Sequence, residues 1–203
     1  MEDYFLIVMD AANTITEQSP FIYNYQLLND EKMQSVIKTL DKFQKNNVEN
    51  FKVKICIISG YSAESGKEIF EQLSEKHPEF MKYVDIGYFE GHRIDPKTGR
   101  VFLFRDIDKG NILDNDIIPA YGEKHIAGMA YLGDDQFDIA PLKTTRSYGN
   151  ILRFGSYPYQ ITTKHVFGYI PTLQNADKQT TFTEALTMIS DDVEKIKQKQ
   201  FGE

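Results

Sequence analysis

Four short stretches of this chain carry residue types that do chemistry. Asp10 ends the apolar run Tyr4-Phe5-Leu6-Ile7-Val8-Met9 and leads into Ala11-Ala12-Asn13-Thr14. Ser59-Gly60 ends a second run, Val53-Lys54-Ile55-Cys56-Ile57-Ile58. Lys109-Gly110-Asn111-Ile112-Leu113 opens a helical pattern, and Gly133-Asp134-Asp135-Gln136-Phe137-Asp138 follows a third apolar run at 126–132. Carboxylates from two different strand ends form a hard-oxygen site that suits Mg²⁺. A serine hydroxyl and a lysine ammonium beside them suit phosphate oxygens. Together they are the parts of metal-assisted phosphoryl transfer.

Those residues need a scaffold that gathers strand ends. Apolar runs without alternation predict strands buried on both faces, as in a parallel sheet. Ligands of such sheets bind beyond the carboxyl ends of the strands. After the first run, 17–25 lacks periodicity and reads as a loop or small flap. Asn29 and Asp30 are N-cap candidates for a helix with Met33, Val36, Ile37, Leu40 and Phe43 on its apolar face. Ser62 or Ser65 starts a second helix, with Ile69, Phe70 and Leu73 inward, and His77-Pro78 breaks it. This alternation predicts right-handed crossovers and a parallel sheet. Residues 83–104 then read as a projecting β-hairpin around Asp95-Pro96-Lys97-Thr98-Gly99. The helical segment from Lys109 is expected to end at Pro119 and Gly122. A short helix at 141–143, late strands at 150–155 and 164–170, and a closing helix with Phe182, Ala185, Leu186, Ile189, Val193 and Ile196 on one face complete the plan.

The expected fold is α/β, a Rossmann-like three-layer sandwich with a mainly parallel sheet, formed as one domain over 1–203. A length of 203 residues, 41% hydrophobic and 26% charged, suits a single domain with a substantial core. The net charge of −7 argues against broad binding of nucleic acid or of an anionic membrane. Cys56 is the only cysteine, so no intrachain disulfide forms. Met1-Glu2-Asp3 lacks the basic start of a signal peptide, and the next apolar run is too short to span a membrane. The expectation is a cytoplasmic protein.

On these residues the chain resembles the haloacid dehalogenase-like (HAD) superfamily. Asp10-Ala11-Ala12-Asn13-Thr14 is similar to its first motif, D-x-D-x-T, and Ile57-Ile58-Ser59-Gly60 to its second. Lys109-Gly110-Asn111-Ile112-Leu113 is similar to the third, with Lys124 as a weaker alternative, and Gly133-Asp134-Asp135-Gln136-Phe137-Asp138 to the fourth. The resemblance covers 4–143 and is nearest to Cof-type sugar phosphatases, without their large cap. It implies Asp10 as a nucleophile that forms an aspartyl-phosphate. It implies Ser59, Gly60 and Lys109 around the phosphoryl oxygens. Mg²⁺ would be held by Asp10, the Ala12 carbonyl and Asp134, with Asp135 or Asp138 in support. The partner would be a phosphorylated small molecule or macromolecule. Capless relatives also use a neighbouring subunit as a lid, which makes the hairpin the expected contact of a homo-oligomer.

One position departs from the pattern. The second carboxylate of the first motif, the general acid and base, is Ala12 here. Three readings follow: a weak or atypical phosphatase or phosphotransferase, a catalytically inactive phosphate- and metal-binding protein, and phosphonatase-like chemistry. Glu17, His92 and His125 are the substitutes for the missing acid that the sequence offers. A phospho-acceptor signalling domain is a fourth reading, although its acidic cluster would lie nearer the first strand.

Overall fold

The computed structural model describes residues 2–12, 14–18, 25–45, 51–133, 138, 141, 186 and 187. Asn13, Asp134, Asp135 and the late strands expected at 150–155 and 164–170 lie outside the described residues. Of the short helix at 141–143 only Pro141 is described. Of the closing helix Leu186 and Thr187 are described; both are helical, and Leu186 is buried in the core.

The first apolar run is strand β1 (Asp3–Met9), an interior strand of a six-stranded sheet. The other members are β4 (Phe51–Ser59), β5 (Val84–Phe89), β6 (His92–Ile94), β7 (Val101–Leu103) and β8 (Ile126–Leu132). Their order across the sheet is β7-β6-β5-β4-β1-β8. β1 runs parallel to both β4 and β8, and β4 runs parallel to β5.

The missing alternation in β1 and β8 follows from two covered faces. Phe5, Ile7 and Met9 pack into one core layer with α1 (Asp30–Lys45), α2 (Ala63–Lys76) and α3 (Pro78–Met81). Leu6 and Val8 pack into a second layer with Ile112, Leu113, Ile117 and Ile118 from the helical segment 109–121. The result is three layers, helix–sheet–helix, as the sequence led us to expect. The caps are also as read. Asn29 accepts the Lys32 N–H at 3.0 Å, and Ser62 accepts the Ser65 N–H at 3.2 Å.

Three features refine the expectation or depart from it. First, β5 belongs to the parallel core as well as to the hairpin. It pairs with β4 on one side and antiparallel with β6 on the other, so β6 and β7 extend the sheet at its edge. Val101, Phe102 and Leu103 on that edge are all exposed. Second, of the two alternatives read at 17–25, a loop or a small flap, the described residues form a two-stranded antiparallel flap, β2 (Thr16–Gln18) with β3 (Tyr25–Leu27). Third, Pro119 does not end the helix. The segment begins as α4 (Lys109–Ile112), widens into a π-turn (Leu113–Ile117) and continues as α5 (Ile118–Tyr121) to Gly122, at φ 75°. In the widened turn the Ile118 N–H donates to the Leu113 carbonyl, five residues back. Proline brings no N–H and a ring that crowds the preceding α-turn, so a π-turn just before it removes the conflict.

Candidate functional site

The chain leaves β1 through α1 to β4 and through α2 to β5, all on one face, then returns over the other face to β8 on the far side of β1. The strand order reverses at β1, and Asp10 is the first residue beyond it. Its N–H extends the ladder to β8, donating to the Leu132 carbonyl at 2.9 Å. The turn that follows is tied to a single acceptor. The N–H groups of Thr14, Ile15 and Thr16 and the Thr16 hydroxyl all donate to the Ala11 carbonyl at 3.0–3.3 Å. The Ala12 carbonyl accepts the Thr14 hydroxyl at 3.3 Å, which leaves capacity for a second partner.

Asp10 is buried beneath this turn. Its Oδ1 accepts the Ala11 N–H at 2.6 Å and its Oδ2 accepts Lys109 Nζ at 2.8 Å. The same Nζ donates to Asp138 Oδ1 at 2.8 Å, and the Tyr131 hydroxyl donates to that Asp138 oxygen at 2.5 Å. Lys109 reaches the cluster because Asp108 caps its helix, accepting the Asn111 N–H at 2.8 Å. Asp138 fits because Gly133 has no side chain: a Cβ there would lie 2.3 Å from Asp138 Cγ.

Two carboxylates share one ammonium, so the ionised cluster holds an excess negative charge in a buried site. Burial pushes the Asp10 carboxyl above the ordinary aspartate range; Asp138 adds to the shift, and Lys109 opposes it. Burial pulls the Lys109 ammonium down, but Asp10 and Asp138 together outweigh it and hold it above the ordinary lysine range. A divalent cation would relieve the excess charge, and the donors fit a hard one: Asp10 carboxylate oxygen and the Ala12 carbonyl. Asp134 and Asp135, the remaining expected ligands, lie outside the described residues.

Ser59 is buried at the end of β4, beside the end of β1, and its Oγ accepts the Tyr61 N–H at 3.4 Å. Gly60, next to it, is exposed. The flap reaches this loop through Thr16 Oγ1, 3.5 Å from the Tyr61 hydroxyl. Lys124 and the substitute acids fare differently. Lys124 and His125 sit before β8, at the opposite ends of the strands from Asp10. His125 Nδ1 lies 3.5 Å from Asp3, seven residues before Asp10 and hence about 23 Å away along β1. His92, on β6, is three strands from β1, or about 14 Å. Its Nδ1 lies 3.0 Å from the Glu90 carbonyl. Glu17 lies in β2, where its backbone pairs with Gln26. Sequence reasoning missed Tyr131. The available signal is its phenol inside an otherwise apolar strand, because a buried tyrosine hydroxyl needs a partner.

Layer order, parallel core and switch point define an α/β, Rossmann-like fold. The chain is similar in structure to the cobalt-bound form of deoxy-D-mannose-octulosonate 8-phosphate phosphatase (YrbI) from Haemophilus influenzae. The TM-score is 0.53 and the identity 11%, over 96% of this chain and 89% of that one. At that identity the likeness carries the fold, which is the fold that the resemblance implies. No family model and no curated protein sequence matches the chain. Among the described residues, no helix is long and apolar enough to cross a membrane.

Proposed function

We propose that this protein is a HAD-like, Mg²⁺-dependent phosphatase or phosphotransferase whose nucleophile is Asp10. The observation that carries the proposal is the buried Asp10–Lys109–Asp138 cluster at the switch point, two carboxylates on one ammonium. Mg²⁺, held by Asp10, the Ala12 carbonyl and Asp134, would supply charge neutralisation for the phosphoryl group. Asp10 attacks phosphorus, the bond from phosphorus to the leaving oxygen breaks, and its electron pair leaves with that oxygen. Lys109 and Ser59 bind phosphoryl oxygens, and Lys109 offsets the charge on Asp10. Water then attacks phosphorus, the Asp10 carboxylate departs, and the proton of water passes to the released phosphate.

Ala12 shapes the substrate class. Its methyl group cannot protonate a leaving oxygen, and neither His92 nor His125 is near Asp10. General acid catalysis is worth about 10²–10⁴-fold. Substrates whose leaving group departs unprotonated, such as acyl phosphates, fit this site best. The alternative, a binding protein that keeps the phosphate and metal site without turnover, draws on the same alanine.

The test is a series of aryl phosphates of rising leaving-group pKa, with acetyl phosphate, assayed with Mg²⁺. The rate is expected to fall steeply along the series in the wild type, to flatten and rise in Ala12→Asp, and to vanish in Asp10→Asn. Turnover that survives Asp10→Asn refutes the proposal. Vanadate binding without turnover of any substrate supports the binding-protein alternative.

A further inference from the structure

We infer that Tyr131 is a positioning residue: its hydroxyl fixes the Asp138 carboxylate, and through it aims the Lys109 ammonium at the phosphoryl group. The inference rests on the phosphoryl-binding reading of the Asp10 site.

Tyr131 is fully buried on β8, where it pairs with Val8 of β1, two residues before Asp10. Its ring packs in the core layer that holds Ile112 and Leu113, from the same helical segment as Lys109. Phenylalanine would supply that packing equally. What tyrosine adds is the O–H, and it donates to Asp138 Oδ1 at 2.5 Å.

Asp138 Oδ1 therefore receives two donors, Tyr131 and Lys109. The backbone at Gly133 closes on the same carboxylate, with no room for even a Cβ. Held from these directions, Asp138 has little freedom to turn. An ammonium has three N–H donors. Two of those on Lys109 are directed to Asp10 and Asp138. Their two directions fix where the third points, which is how a flexible lysine becomes a directional phosphate donor. Loss of the Tyr131 hydroxyl removes one of the groups that set the angle of the Asp138 carboxylate, and Lys109 follows any turn it makes. Outer partners of this kind act through the residue they hold, without touching the ligand.

The experiment is calorimetric titration of orthovanadate in the presence of Mg²⁺, on the wild type, Tyr131→Phe, Asp138→Asn and the double variant. Tyr131→Phe is expected to weaken vanadate about tenfold, the worth of one hydrogen bond to a charged acceptor. It should leave the Mg²⁺-induced rise in melting temperature unchanged. It should add nothing in the Asp138→Asn background, because a residue that acts through Asp138 is silent once Asp138 is altered. A purely structural tyrosine would weaken binding equally in both backgrounds, and that result overturns the inference. Equal vanadate affinity of the wild type and Tyr131→Phe also overturns it, while the phosphoryl-binding reading stands. No vanadate binding by the wild type overturns that reading and the inference with it. Should Tyr131→Phe fail to fold, a fluorinated tyrosine is placed at 131 in the otherwise unaltered chain. Its fluorine resonance is expected to move when vanadate binds, and a resonance that stays put overturns the inference.

Discussion

Lys109→Met removes the one cation of the buried cluster and keeps most of its volume. In the native protein Nζ lies 2.8 Å from one oxygen of Asp10 and 2.8 Å from one of Asp138, with all three side chains buried. At an effective dielectric of 20, each contact is a gross attraction of about 6 kcal/mol. Desolvation of the ammonium offsets several kcal/mol of that total. The variant recovers only part of the balance, by protonating a carboxyl, because both groups stay buried and the hydrogen bonds to the ammonium are gone. Breaking a buried pair in this way costs about 3–5 kcal/mol. Total stabilities run to about 5–15 kcal/mol, so the loss is severe. The assay is urea unfolding in the presence of a chelator, with the slope checked for constancy so that the midpoint reports stability. A shift in melting temperature on the order of 10 °C should accompany it. Added Mg²⁺ should raise the melting temperature of the variant by more than it raises that of the wild type, because the cation then replaces the missing charge. A loss below about 1 kcal/mol, the range of exposed ion pairs, would refute the buried cluster.

Two other perturbations test its surroundings. Gly133→Ala places a Cβ 2.3 Å from Asp138 Cγ and should destabilise by about 1–3 kcal/mol. Gly60→Ala, with no atom within 4 Å of the new Cβ, should stay within about 0.5 kcal/mol; equal costs at the two sites in chemical unfolding would contradict the packing at Gly133. Burial pushes the Cys56 thiol up to about 12, with the Tyr121 hydroxyl 3.6 Å from its sulfur. Iodoacetamide at neutral pH should therefore label it only as the chain unfolds, and rapid labelling of the folded protein, read by mass spectrometry, would contradict that burial.

Local patterns carried much of this fold. The unbroken apolar runs of β1 and β8 announced strands covered on both faces, and Asn29 and Ser62 marked helix starts through side chains that bond their own neighbours. Asp10, Ser59 and Lys109 stood out because each sits at the end or start of an element, where periodicity stops, and the structure brings Asp10 and Lys109 into contact. What escaped depended on pairings distant in sequence. β5 reads as one arm of a hairpin, yet it also pairs with β4, and nothing within 83–104 encodes that second neighbour. Pro119 reads as a helix end, because the π-turn that accommodates it has no sequence signature of its own. The flap could be read only as an alternative to a loop, because β2 and β3 are three residues each, too short for alternation to show. Tyr131 looks like one more core aromatic until the Asp138 carboxylate, close against Gly133, is seen to accept its hydroxyl. Ala12 is the opposite case: the sequence alone raised the question of the missing acid, and the structure removed His92 and His125 from the answers.

The central claim is that Asp10 accepts a phosphoryl group, and trapping tests it most directly. The wild type is incubated with acetyl phosphate and Mg²⁺, quenched, reduced with borohydride and mapped by peptide mass. An aspartyl-phosphate is reduced to homoserine, so the account predicts homoserine at position 10 and none in Asp10→Asn. Homoserine at another aspartate, or none anywhere while phosphate is released, would contradict it.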